Sequence, residues 1–239
     1  LWQTRVMSDK NELIHFKRGI YRLKSYIVKE VLTIGLPPCL MNLASCFVVI
    51  FINRGLLNYG GDYAVGAYGI VHKMTFIFVM IVLGLTQGMQ PIVGYNYGAK
   101  RPDRVKKALT QTILWATLVT TVGFVVCEFI PDLVARIFTT EPALIEKASW
   151  AMRVMSVFMP VIGFQLVTTN FFQSIGKVNK SIFLSLTRQV LMLIPLLLIL
   201  PHYLGERGVW YSMPISDIVA AVLTVVMLVL QFREWKSEK

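Results

Sequence analysis

Charge is scarce in this 239-residue chain, and acidic charge is scarcest: 24 Lys and Arg stand against 13 Asp and Glu, and charged residues make up only 15%. Cysteine is rarer still. Cys39, Cys46 and Cys127 all lie in or at the ends of apolar runs, none has metal-ligand spacing, and an odd count argues against a disulfide framework. They read as small packing residues. No signal peptide precedes the first apolar run. There is no His/Cys/Asp cluster, no GxSxG, no phosphate loop and no pair of carboxylates within the apolar runs, so enzyme chemistry finds no support. Neither a short-period repeat nor a low-complexity segment is present.

What the chain has in abundance is apolar length. Hydrophobic residues make up 55% and the mean hydropathy is +0.61. Six stretches, 31–52, 67–94, 108–130, 151–172, 181–201 and 208–230, each reach the roughly 20 residues that a spanning helix needs. Continuous helices are the economical way to satisfy that much backbone without water. The expected fold is an all-α membrane protein, a six-transmembrane-helix bundle over 30–232, with a basic linker or interfacial helix at 1–29 and a tail at 233–239. Leu13, Phe16, Ile20, Leu23 and Ile27 fall at helical spacing among Lys17, Arg18, Arg22 and Lys24, the pattern of a basic helix in the interface; a solvated linker is the alternative. The chain opens on Leu1, and its first segment reads as a loop in progress, so the back part of a longer protein is expected.

The net charge of +11 would suggest nucleic acid in a soluble chain. Its distribution gives a different answer. With 1–29 placed inside and the spans alternating, 18 Lys and Arg fall inside (1–29, 100–107, 177–188 and 233–239) against six outside (Arg54, Lys73, Arg136, Lys147, Arg153 and Arg207). This positive-inside bias predicts that both termini are cytoplasmic. The connections follow: a Gly-Gly turn in 53–65, a basic loop at 98–107 with Asp103 capping after Pro102, and an outer amphipathic helix in 131–150 with Thr140-Glu141-Pro142 as its N-terminal signal.

Polar residues within the spans are the functional candidates, because charge near the bilayer centre is costly. Asp217 is the deepest; it reads either as a structural cap or as a protonatable or cation-binding carboxylate. Lys73 either snorkels outward or faces inward as a partner for a substrate or for Asp217, since each of the two lies nine residues beyond an outer turn. Gln87, fourteen residues after Lys73, shares its face. Asn42, Ser45, Cys46 and Asn53 form one polar stripe; Gln165, Thr168, Thr169, Phe172 and Gln173 form another. Such stripes either bond helix to helix or line a substrate path. Prolines 37, 38, 91, 160, 195 and 214 place kinks in five of the six spans. Eleven Met, 14 Phe, nine Tyr and five Trp suit an adaptable pocket or lipid-facing belts.

Several segments together resemble a known family. GLTQGMQPIVGYNYGAKRPDRVKKA (84–108) resembles the junction after the eighth helix of MATE transporters, the multidrug and toxic compound extrusion family. GLPPCLMNLA (35–44) is similar to the start of their seventh helix, FFQSIGKVNKS (171–181) to the end of the tenth and GVWYSMPISD (208–217) to the twelfth. The resemblance implies one lobe of a twelve-helix transporter that exports cationic or amphipathic compounds in exchange for H⁺ or Na⁺, in the bacterial inner membrane. Partners would be lipid, small substrates and an N-terminal six-helix lobe; no cofactor is implied. NorM-like members carry acidic residues in the seventh and tenth helices, whereas 35–46 and 163–173 here contain none. The pattern resembles DinF-like members, whose coupling carboxylate belongs to the N-terminal lobe, so the coupling ion would be bound mainly outside this chain. The rivals are a lipid-linked oligosaccharide flippase of the same superfamily, which should gather several cations centrally where these spans offer mainly Lys73 and Arg188, and a non-transporting scaffold.

Overall fold

A computed structural model describes residues 24–237. Residues 1–23, and with them most of the expected basic linker, lie outside the described residues. The chain forms two compact units, Leu1–Asn42 and Leu43–Lys239. In the first, the described backbone is helical from Ser25. Helices then follow one another directly: α1 (Ser25–Gly98, as one hydrogen-bonded run), α2 (Pro102–Phe129), α3 (Pro131–Phe138), α4 (Pro142–Ser156), α5 (Met159–Ser174), α6 (Val178–Leu186), a π-helical segment (Thr187–Leu193), α7 (Ile194–Leu204) and α8 (Glu206–Ser237).

Four helical stretches have the length and apolar character to cross a bilayer: Asn42–Gly98, Pro102–Phe129, Val178–Leu204 and Glu206–Trp235. The pair α4 and α5, bent by 53° at its break, makes another. Asn42–Gly98 holds 57 residues, about 85 Å at 1.5 Å each, nearly three hydrocarbon thicknesses. It divides at Gly61, whose φ of 71° and ψ of −168° are non-helical. Only glycine adopts that backbone without strain. The Gly-Gly turn expected within 53–65 is thus found at Gly61, and only its extent differs: helix runs up to that glycine from both sides.

The path of the chain can be read from two buried apolar clusters. One joins Val48, Ile52 and Leu56 to Ala64, Tyr68 and Val71, Cys127, Met152, Leu193 and Leu197, and Trp210. The other joins Val82, Met89 and Val93 to Val105 and Leu109, Phe171 and Phe172, Leu184 and Leu228. Every helical pass after Gly61 therefore runs from one cluster to the other, in alternating direction, as an up-and-down bundle requires. The Gly61 break, the 130–141 segment and Gly205 lie at the first cluster's end; 99–101 and 175–177 lie at the second's.

Close packing joins the passes. A Cβ on Gly163 would stand 2.7 Å from Thr120 Oγ1 and 2.9 Å from the Ala116 carbonyl oxygen, so α5 and α2 cross nearly backbone to backbone. Small residues permit such approach in lipid, where apolar burial between helices has little driving force and van der Waals contact dominates.

Several local expectations are corrected. The 131–150 segment is two helices, because Pro142 starts a new one. The Thr140-Glu141-Pro142 signal is found where expected, with Glu141 at the N-cap position and Pro142 in the first turn; the Glu141 N–H donates to Thr139 Oγ1 (3.2 Å). Arg101 caps α2 by position, which leaves Asp103 within the first turn, where a carboxylate favours the helix dipole. The 151–172 span is broken at 157–158, just before Pro160.

Candidate substrate and ion pathway

Between the two apolar clusters lies a polar layer. Arg188 Nε donates to Asp217 Oδ1 at 2.6 Å. Gln165 Nε2 donates to the Asp217 backbone carbonyl, also at 2.6 Å. Beside Arg188, Gln189 Oε1 accepts from Ser45 Oγ at 2.9 Å. Arg188 stands between Leu184 of one cluster and Leu193 of the other; Asp217 stands between Met213 and Leu228. Measured along the chain, Arg188 is ten residues from the start of α6 and Asp217 eleven from the start of α8, roughly 15 Å each. Both charges are therefore near mid-bilayer depth.

The local backbone explains how Arg188 reaches that position. Arg188 and Gln189 lie within the π-helical segment, a widened turn that often marks a functional site. Pro195 follows closely, lacks an N–H and crowds the carbonyl four residues earlier, which disfavours a regular α-helical turn there. The Asp217 side chain is 9% exposed and that of Arg188 is 30%. Burial of one charge and partial exposure of the other leave the pair open on the arginine side. The bond uses Nε alone; both Nη nitrogens make no hydrogen bond among the described residues, nor does Gln189 Nε2. Gln165 Oε1, Thr168 Oγ1 and Thr187 Oγ1 are buried without hydrogen-bond partners among the described residues.

The sequence candidates divide accordingly. Asp217 and Gln165 come together. Thr168 is buried on the same helix as Gln165, and Thr169 and Gln173 are half-buried. Asn42, Lys73 and Gln87 are exposed. The Asp217–Lys73 pairing is corrected: Lys73 Nζ lies over the Phe138 ring, 5.9 Å from its centre, and the partner of Asp217 is Arg188. Counting residues from the outer turns equalised the two depths but could not specify which helices are neighbours. Arg188 was visible in the sequence as a cation within an apolar run, but the positive-inside count placed it with the inner loop. The inner excess remains large without it. Gln189 and the π-helical turn left no sequence signal beyond Pro195.

The two ends of the bundle carry their own polar ties. At the first cluster's end, Lys147 Nζ meets Glu206 Oε2 at 3.0 Å and donates to the Gly60 carbonyl at 3.1 Å, while Trp210 Nε1 donates to Glu206 Oε1 at 3.2 Å. At the other end, Lys177 and Lys180 reach Glu234 at 2.7 and 3.3 Å. Among the described residues no group of three or more His, Cys, Asp or Glu side chains could hold a metal ion.

The MatE family model matches residues 34–199. The chain belongs to the MatE family. Its curated relatives are exporters, and the chain spans about half their length. The multidrug export protein MepA of Staphylococcus haemolyticus (strain JCSC1435) is 24% identical over 221 residues, covering 92% of this chain and 48% of that protein. MepA of Staphylococcus aureus (strain NCTC 8325 / PS 47) is 26% identical over 208 residues, covering 85% and 45%. Among solved structures, the MATE multidrug transporter DinF-BH is 37% identical with a TM-score of 0.77, covering 90% of this chain and 48% of that one. A MATE structure in the bent conformation has a TM-score of 0.84 at 23% identity over 98% of this chain and 52% of that one, a likeness of fold. This MatE chain is thus a multi-pass membrane protein of a transporter family, with the fold of half a MATE transporter.

Proposed function

We propose that the chain is the C-terminal lobe of a multidrug antiporter that exports cationic or amphipathic compounds in exchange for H⁺ or Na⁺. The observation that carries this is the mid-depth layer of Arg188, Asp217, Gln165 and Gln189, set between two apolar clusters in a MatE fold. A buried ion pair in lipid is costly to build and marks a pathway or a moving element more often than a static core. The 37% identity to DinF-BH supports the DinF-like branch, as does the lack of Asp and Glu in 35–46 and 163–173. On that branch the coupling ion is bound mainly by the N-terminal lobe. The basic connectors at the Leu228 end support a cytoplasmic position for that end and for both termini, in a bacterial cytoplasmic membrane. The flippase alternative would need several central cations; of Lys73 and Arg188, only Arg188 lies in the polar layer.

The test is drug susceptibility in a pump-deficient bacterium. Expression of both lobes should raise resistance, and this lobe alone should not. Efflux from energised vesicles, driven in turn by a proton gradient and by a sodium gradient, identifies the coupling ion. Full resistance from the lobe alone would place coupling within this chain.

A further inference from the structure

Two cavities lie end to end along the seam between α4 and α8, and their chemistry differs. The first, of about 430 Å³ at the Gly205 end, is lined by Glu146, Lys147 and Trp150 of α4 and by Glu206 and Arg207 of α8. The second, also about 430 Å³, is lined by apolar and aromatic residues alone, among them Val154 of α4, Val157 in the break, Leu200 and Leu204 of α7, and Tyr211 and Ile218 of α8. Residues 147, 150, 154 and 157 follow at steps of three and four, as do 207, 211, 214 and 218. Each helix therefore turns one continuous face to both cavities. We infer that this seam binds one phospholipid with a zwitterionic, primary-amine headgroup, its phosphate at Arg207, its ammonium at Glu146 and an acyl chain in the apolar groove. The lipid belongs to the leaflet at the Gly205 end, the outer one in the topology proposed above. It is a lipid site apart from the export path.

Depth matches such a ligand. Along α8, Arg207 precedes the mid-depth Asp217 by about 15 Å, which puts it at the edge of a hydrocarbon core roughly 30 Å thick. Trp150 and Tyr203 are exposed near that level, as belt aromatics are. From Tyr211 the groove descends about 10 Å to Ile218, so a chain from the same leaflet fills it. Charge selects the headgroup. Lys147 and Glu206 pair at 3.0 Å and also bond Gly60 and Trp210. Arg207 and Glu146 are exposed and make no ion pair or hydrogen bond through their side chains among the described residues. Glu146 also borders a cavity with Arg136, but no ion pair joins the two. The complement of a free cation beside a free anion carries both charges. A guanidinium fork suits a phosphate. An ionised carboxylate only accepts, so a primary ammonium satisfies it with N–H donors that a quaternary one lacks. An anionic headgroup would serve Arg207 but set like charge beside Glu146.

Native mass spectrometry of the purified full-length transporter, with both lobes present, measures the affinity of the first bound lipid. The probes are dioleoyl phosphatidylethanolamine, phosphatidylcholine and phosphatidylglycerol, which share their chains and differ only in headgroup. The wild type should prefer the ethanolamine lipid to the glycerol lipid by roughly tenfold. Glu146→Gln should lower that preference by about fivefold, with binding of the glycerol lipid kept or strengthened. Arg207→Gln should weaken all three. Loss for one headgroup without loss for another cannot arise from a damaged fold. Val157→Trp, which fills the groove, should weaken all three and leave their order unchanged. An ethanolamine lipid with a diazirine in its acyl chain should cross-link within 154–158 and 211–218. No headgroup preference in the wild type, an unchanged preference in Glu146→Gln, or cross-links spread evenly over all passes overturns the proposal. None of these readouts depends on transport, so a failure of the antiporter function would leave them intact.

Discussion

Arg188 and Asp217 meet through a 2.6 Å hydrogen bond in the layer that separates the bundle's two apolar clusters, and they join the π-helical turn to α8. A charge pair at that depth is worth little as a net contribution to stability, because desolvation offsets most of the attraction, yet removing one partner strands the other. Asp217→Ala should therefore destabilise the protein by roughly 3–5 kcal/mol, reduced to the extent that water reaches the partly exposed arginine. The double change Arg188→Met/Asp217→Leu should cost clearly less than the single one. Thermal unfolding in detergent measures both, and equal losses would show that the two charges do not interact.

Gly60 should be harder to replace than Glu206. A Cβ there would stand 2.6 Å from both the Glu206 Cδ and the Ala64 Cβ, next to the Gly61 break. Gly60→Ala should cost about 1–3 kcal/mol through overpacking. The Lys147–Glu206 pair has side chains about a quarter exposed (26% and 24%), so Glu206→Gln should cost at most about 1 kcal/mol. Unfolding midpoints in the reverse order would contradict the packing.

Glu234 lies beyond the expected 208–230 span and is exposed. Its hydrogen bond from Lys177 is the main cause that holds its carboxyl below the usual carboxylate range, with Lys180 adding to it. A depressed folded value stabilises the tie above the ordinary value and releases it as pH falls through the lowered one. Zero-length carbodiimide cross-linking, quenched after pre-equilibration at each pH, should show the Lys177–Glu234 link at neutral pH. Glu234→Gln should abolish it. A link formed equally well in the variant would point to another carboxylate.

Labelling can test the topology directly. Cys39 and Cys46 are exposed and Cys127 is buried, so the first two must be replaced by serine before new cysteines are introduced. Single cysteines placed within 100–107 and at Arg233 should then react from the same, cytoplasmic side. A cysteine at Asp62 should react from the other side. Labelling of 100–107 and Arg233 from opposite sides would overturn the six-pass arrangement.

The run lengths in the sequence by themselves determined the class, the number of passes and most of their positions, because lipid leaves a polar backbone few options besides the helix. They also singled out Asp217, Gln165 and Thr168, since a polar residue inside an apolar run stands out wherever the chain folds. Partner choice was decided only in three dimensions. Asp217 could have met any cation at its depth, and which one it met depended on the π-helical turn that carries Arg188 to it and on which passes are neighbours. Connection geometry was hidden for a similar reason. The turn residues of 53–65 are consistent with a long loop, but both helices extend until Gly61, in a backbone conformation that only glycine adopts freely, makes the turn alone. Periodicity reports the face a residue occupies along its own helix; the residue opposite that face is fixed by contacts between helices, to which the sequence pattern of one helix does not refer.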